Sequence, residues 1–105
     1  MTVSQAIVTV ALLAQMYGVD PALMDCIVYN ESSYNVAAQN GIHEGLCQWN
    51  PSTREWLAEK AAADPAWLHG EIEPGPVYNV ALAAWSIKRG YGEHWSTWTL
   101  CGGEG

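Results

Sequence analysis

The residue best placed to do chemistry in this sequence is Glu31. Leu23, Met24, Ile27 and Val28 recur at helical spacing as one apolar stripe, and the next residue on that stripe is Glu31. A core-facing helix would carry another aliphatic side chain there. Apolar neighbours disfavour an ionised carboxylate, and so does the negative end of a helix dipole. Both effects favour a neutral carboxylic acid, a group able to hand a proton to a leaving oxygen. A Glu in the last turn of a helix equally suits simple exposure to water. The residues that follow, Ser32-Ser33-Tyr34-Asn35, favour chemistry: they can brace a turn and offer hydrogen bonds to hydroxyl groups of a ligand.

The elements that must position this acid are legible from local signals. A first helix is predicted over 4–17, stopped by Gly18. Asp20-Pro21 pairs a capping residue with a proline suited to the first helical position, and opens a second helix over 21–31. The stretch 32–48 contains Asn40-Gly41 and Gly45 and few periodic apolar residues, so it reads as a structured loop with room for a small hairpin. Asn50-Pro51 repeats the cap-then-proline signal for a third helix reaching 63, and Asp64-Pro65 starts a short fourth turn or helix. Glu73-Pro74-Gly75-Pro76 reads as a rigid connector. A fifth helix is expected over 77–89, stopped by Gly90, followed by a Trp-bearing turn over 94–98 and a Gly-rich tail over 102–105. The expected fold is a mostly α, compact helical domain with a loop or small hairpin beside a cleft, in one domain over 1–105.

Composition narrows the function classes. The chain has 105 residues, 50% hydrophobic and 14% charged, with a net charge of -7. That apolar content excludes a disordered chain. The four basic residues, Arg54, Lys60, Lys88 and Arg89, do not make the cationic footprint that a nucleic acid or an anionic membrane surface requires. The N-terminal apolar stretch is interrupted by Ser4, Gln5, Thr9 and Gln15 and lacks a preceding basic residue, so neither a signal peptide nor a membrane span is expected. Three cysteines, Cys26, Cys47 and Cys101, leave at least one thiol unpaired within the chain. Cys101 is placed to staple the tail through Cys26 or Cys47, and three buried thiols are the alternative. No spacing indicates a metal site, and no cofactor is expected.

Two segments carry a resemblance. Pro21 to Asn35, an apolar helix ending in Glu31-Ser32 and followed by Ser33-Tyr34-Asn35, resembles the first motif of the soluble lytic transglycosylase family, within the lysozyme-like superfamily. Gly45-Leu46-Cys47-Gln48-Trp49-Asn50-Pro51-Ser52-Thr53 is similar to its second motif, with Cys47 where the family has Met. Tyr78-Asn79 and Tyr91-Gly92 resemble later family segments more weakly. The family's usual Ala-Tyr-Asn-Ala-Gly segment, whose Tyr sits near the catalytic Glu, is replaced by 94–101. That ending is similar to compact variants in resuscitation-promoting factors and in phage tail or endolysin domains, which are often disulfide-bonded.

The resemblance implies a peptidoglycan substrate and cleavage of the β-1,4 bond between N-acetylmuramic acid and N-acetylglucosamine, with Glu31 as general acid and then general base and a 1,6-anhydro sugar as product. It implies action on the bacterial cell wall, as a monomer or as part of a larger phage or cell-wall protein. The residues expected to bind substrate are Ser32, Tyr34, Glu44, Gln48, Trp49, Asn79 and Tyr91. Tyr34 and Tyr91 are the candidates for the aromatic partner of Glu31. Glu44 is the best second carboxylate for the alternative, lysozyme-type hydrolysis. Gln48 suits either a sugar contact or a loop-bracing bond, and Asn79 either a bond near Glu31 or a cap of the fifth helix. Trp49 is the expected saccharide platform, whereas Trp56 and Trp85 are expected in the core. A non-catalytic glycan-binding or structural phage module is the remaining reading.

Overall fold

A computed structural model of the chain describes residues 1–71, 73 and 75–103. The connector expected over 73–76 and the tail expected over 102–105 fall partly outside the described residues. Among these, the chain forms five α-helices, one two-stranded hairpin and a 3-10 turn. Helix α1 spans Val3–Tyr17 and α2 spans Pro21–Ser32. The hairpin pairs β1 (Gln39–Asn40) with β2 (His43–Glu44), followed by α3 (Pro51–Ala62), α4 (Pro76–Lys88), the 3-10 turn Gly92–His94 and α5 (Thr97–Leu100). The mostly helical fold with a small hairpin is therefore present.

Each start and stop has a local cause. Thr2 and Gln5 form a capping box on α1, and Gly18, in the left-handed region at φ 72°, ends it. The carboxylate of Asp20 accepts from the Ala22 amide at 2.9 Å, and the side chain of Asn50 accepts from Ser52 at 3.0 Å, with proline next in both cases. Asp64-Pro65 makes only a turn: Asp64 accepts from the Ala66 amide, and no helix follows. In the hairpin, Asn40 pairs with His43, so the two loop residues are Gly41, at φ 61°, and Ile42.

Helix α4 is the centre of the molecule. Every residue from Val80 to Ile87 is buried, as expected of a helix apolar on all sides. Ala81, Ala83 and Ala84 leave room for neighbouring helices, and the one polar residue in this run, Ser86, donates to the Leu82 carbonyl at 2.7 Å. Helix α1 packs on it and also on α2, so that Ala6, Val10 and Leu13 of α1 and Met24, Ile27 and Val28 of α2 join the same core. Trp85 lies in this core, and its Nε1 donates to Asp64 at 3.0 Å. Asp64 also binds Arg89 (2.7 Å), which joins the 64–71 loop to the end of α4.

Trp56 corrects an expectation. It is exposed, not core, because Leu57 and Ala61 are the residues of α3 that face inwards, and Trp56 falls about 100° around the helix from Leu57. Its indole lies on the outer face, under the Lys60 ammonium at 4.9 Å and edge-on to Tyr91.

Candidate active site

Glu31 stands in the last turn of α2, immediately after the buried stripe Met24, Ile27 and Val28, and is itself only partly exposed. The chain then reverses through two consecutive non-glycine residues in the left-handed region, Ser33 at φ 50° and Tyr34 at φ 62°. Each such residue is unfavourable by about 1–2 kcal/mol, so something must hold it. The ring of Tyr34 is buried, and its hydroxyl donates to the Asp25 carboxylate, two turns back on α2. Burial first, and this carboxylate second, push the Tyr34 phenol well above its usual range, so it stays a hydrogen-bond donor. Asn35 closes the turn by accepting from the Ala37 amide at 3.0 Å, and the Ser32 hydroxyl donates to the Val28 carbonyl at 3.1 Å. The polar run after Glu31 thus builds the bend that follows it.

The Glu31 carboxylate has one hydrogen-bond donor among the described residues: the Thr97 hydroxyl, 2.8 Å from Oε2. Thr97 begins α5, and four residues later Cys101 is disulfide-bonded to Cys26 on α2. Cys26 precedes Glu31 by five positions, so α2 and α5 run antiparallel, one cross-link covalent and the next a hydrogen bond. Asn30 lies between them, donating to the Cys26 carbonyl at 2.8 Å.

The second motif is gathered around Cys47, which is fully buried and is the one cysteine outside the disulfide. Its amide donates to Asn79 Oδ1 at 2.9 Å, and its carbonyl accepts from Trp95 Nε1 at 2.9 Å. Burial raises the thiol well above the usual range, and the charge of Glu31 adds to this.

Asn79 takes a role other than the two expected. It lies inside α4 rather than at its cap, which is Gly75. Its side chain accepts from Cys47 and donates to the Glu44 carbonyl (3.2 Å), while its own carbonyl accepts from Trp49 Nε1 (2.8 Å). It clamps the loop of the second motif onto the central helix. Gly45 is glycine for this reason: its φ is +77°, and a Cβ there would lie 2.2 Å from Asn79 Nδ2.

Gln48 is buried and left-handed at φ 52°. Its amide oxygen accepts from Asn40 at 2.9 Å, and its nitrogen donates to the carbonyls of Gly45 (2.8 Å) and Ala38 (3.2 Å). Of its two expected roles, these bonds make the loop brace. Trp49 is 2% exposed and packs edge-on against Trp95 at 4.8 Å. At that exposure the ring only borders a cavity of about 40 Å³ and lacks the broad open face of a saccharide platform, which corrects the expectation. Tyr91 stacks on Trp85 and meets the edge of Trp56.

Two cavities flank this assembly. One of about 550 Å³ lies between the hairpin region and the start of α4, lined among others by Val36, Glu44, Arg54, Tyr78 and Asn79. Glu44 faces Arg54 across it at 4.0 Å. A small one of about 40 Å³ is lined by His43, Gln48, Thr53, His94 and Trp95. Glu31 lines neither. Of the expected site residues, Glu44, Gln48, Trp49 and Asn79 gather around the second motif. Ser32 and Tyr34 shape the bend after Glu31, and Tyr91 belongs to the aromatic group with Trp56 and Trp85.

Thr97 is the residue that reading the sequence missed. The signal was present: 94–101 stands where the family has its Tyr-bearing segment, and a Cys26–Cys101 pairing would carry the residue one turn before Cys101 towards the end of α2.

A family model described as the transglycosylase SLT domain matches residues 9–101. No curated protein and no solved structure matches the chain significantly.

Proposed function

The chain belongs to the transglycosylase SLT domain family of peptidoglycan-cleaving proteins, and from that premise we propose that it is a lytic transglycosylase with Glu31 as its single acid–base residue. The bond cut is the β-1,4 link between N-acetylmuramic acid and N-acetylglucosamine. Glu31 donates its proton to the glycosidic oxygen as the C1–O bond breaks, which releases the N-acetylglucosamine side as an alcohol. The resulting carboxylate takes the proton of the muramoyl 6-hydroxyl, and that oxygen closes onto C1 to give the 1,6-anhydro sugar. The proton returns to Glu31, and no water is consumed. Because the nucleophile is tethered to the reacting sugar, the reaction avoids the cost of assembling a second reactant.

The observation that carries this reading is the setting of Glu31: at the end of an apolar stripe, partly buried and held through one oxygen by Thr97. Hydrolysis would need a second group to activate water. Glu44, the expected one, faces Arg54 in a cavity that Glu31 does not line, which favours the one-carboxylate route. The Cys26–Cys101 disulfide favours work outside a reducing cytoplasm, at the cell wall. A phage protein that penetrates or lyses the wall and a bacterial wall-remodelling enzyme both meet that requirement.

The test is Glu31→Gln on purified peptidoglycan. Lysis should vanish while the melting temperature holds, and wild-type products should be one water lighter than hydrolysed ends by mass spectrometry. Hydrolysed ends would establish the lysozyme-type alternative, and an active Glu31→Gln variant would refute Glu31 as the acid. Wild-type protein that binds glycan but releases no fragment would leave a binding module.

A further inference from the structure

We propose that Thr97 is the positioning residue of Glu31: its hydroxyl holds Oε2, so that the transferable proton sits on Oε1. This rests on Glu31 being the acid. A free carboxyl group rotates and carries its proton on either oxygen. An oxygen that already accepts a hydrogen bond is the poorer site for the proton, so a donor fixed on Oε2 assigns it to Oε1 and fixes the carboxyl plane. Thr97 Oγ1 lies 2.8 Å from Oε2, and the hydroxyl is the one donor the carboxylate has among the described residues.

The surroundings show why Thr97 holds its place. It begins α5, a single turn of four residues, too short to stand by itself. The turn is fastened at both ends. Cys101 is bonded covalently to Cys26 on the helix that carries Glu31. Trp98, next to Thr97, packs so closely over Gly92 and Gly103 that a Cβ at either position would lie under 3 Å from its ring. The Cys101 amide donates to the Thr97 carbonyl at 2.9 Å, which carries the covalent anchor back to the hydroxyl-bearing residue. Neither Tyr34 nor Tyr91 supplies this contact, since the first donates to Asp25 and the second packs against Trp56 and Trp85.

The test compares Thr97→Val, which keeps the shape and removes the hydroxyl, with Thr97→Ser, which keeps the hydroxyl. Glu31→Gln sets the inactive floor, and initial rates are measured on solubilised glycan strands. Losing one hydrogen bond to a charged group should lower kcat about tenfold to a hundredfold in Thr97→Val. KM should stay within about twofold, since the bond acts on the acid rather than on substrate binding. Thr97→Ser should recover kcat to within a few-fold of wild type. Thr97→Ala stands in for the valine variant if the latter does not fold. Wild-type kcat in Thr97→Val alongside a dead Glu31→Gln would overturn this role and leave the proposed function intact. A serine variant as impaired as the valine one would also overturn it, because the hydroxyl would then not be the cause. Full activity in Glu31→Gln would remove the proposed function itself.

Discussion

Breaking the Cys26–Cys101 bond tests the architecture of the site most directly. The bridge spans 75 of the 105 positions, so it closes a long loop. In the chain-entropy account, a closed loop of that size stabilises the native state by about 4.5 kcal/mol at 25 °C. A domain of this kind has roughly 5–15 kcal/mol in total, so the bond is a large fraction of it. Unfolding entropy of about 2.1 cal/mol/K per residue over the 105 residues amounts to about 0.2 kcal/mol per degree. The melting temperature should therefore fall by about 20 °C. The assay is calorimetry of the oxidised chain, the reduced chain and the double variant Cys26→Ser/Cys101→Ser, which removes thiol chemistry from the comparison. At a temperature below both transitions, kcat on soluble glycan should also fall towards that of Thr97→Val, since α5 has then lost its covalent hold. A melting temperature lowered by less than about 5 °C, or three alkylatable thiols in the denatured but unreduced chain, would refute the reasoning.

Other outcomes follow from particular contacts. Asn79→Ala leaves the Cys47 amide unpaired and takes from the Glu44 carbonyl one of its two donors, the Trp49 amide remaining, which should cost about 1–3 kcal/mol in denaturant unfolding. Gly45→Ala should cost at least 1 kcal/mol, roughly the penalty for a left-handed non-glycine residue, plus the clash with Asn79. The double variant should be less destabilised than the two single costs together, because removing the Asn79 side chain makes room for the new methyl group; simple additivity would count against the clamp. For Asp64, the Ala66 amide, and then the Trp85 indole and the Arg89 guanidinium, hold the carboxyl below its usual range, against the opposing effect of burial. A lowered carboxyl contributes stability that is complete above the unfolded value, near 3.9, and is lost as pH falls through the lower folded value. The gap in stability between wild type and Asp64→Asn should thus be widest near pH 6 and close towards pH 3; a gap that ignores pH would rule this out. Cys47 should resist alkylation in the native chain and react once the chain is unfolded, given its complete burial and raised thiol.

What could be read from the sequence was whatever is decided within a few residues. Asp20-Pro21 and Asn50-Pro51 start helices because a cap bonds an amide two residues ahead, and Gly18 stops one because its own φ is positive. Glu31 stood out for the same reason, as a break in a pattern four residues long. Side chains whose partners lie far along the chain were not legible. Asn79 meets Cys47 across 32 positions and Thr97 meets Glu31 across 66. Trp49, beside the polar Gln48, reads as a cleft residue, and Trp56, beside Leu57 and near Ala61, reads as core; the fold reverses both. In the fold, Asn79 and Trp95 draw Trp49 inwards, whereas the helical angle turns Trp56 out.

These long-range contacts share a design that follows from size. Among the described residues of this 105-residue chain the sheet is a two-stranded hairpin, too small to mount a site on. Each piece is instead hung on a helix by one directed link. Asn79 of α4 holds the backbone of the second motif, Asp25 of α2 holds Tyr34 and so the bend after Glu31, and the disulfide holds α5 against α2. Such links are short and leave little play, so a site built on them is well ordered without a large core beneath it. The arrangement also concentrates risk. Where a packed sheet would spread the loss of one side chain over many contacts, here a single truncation at position 79 or 101 releases a whole segment. Changes at these supporting positions should therefore lower activity through geometry while Glu31 itself is untouched, and restoring the link, not the acid, should restore the rate.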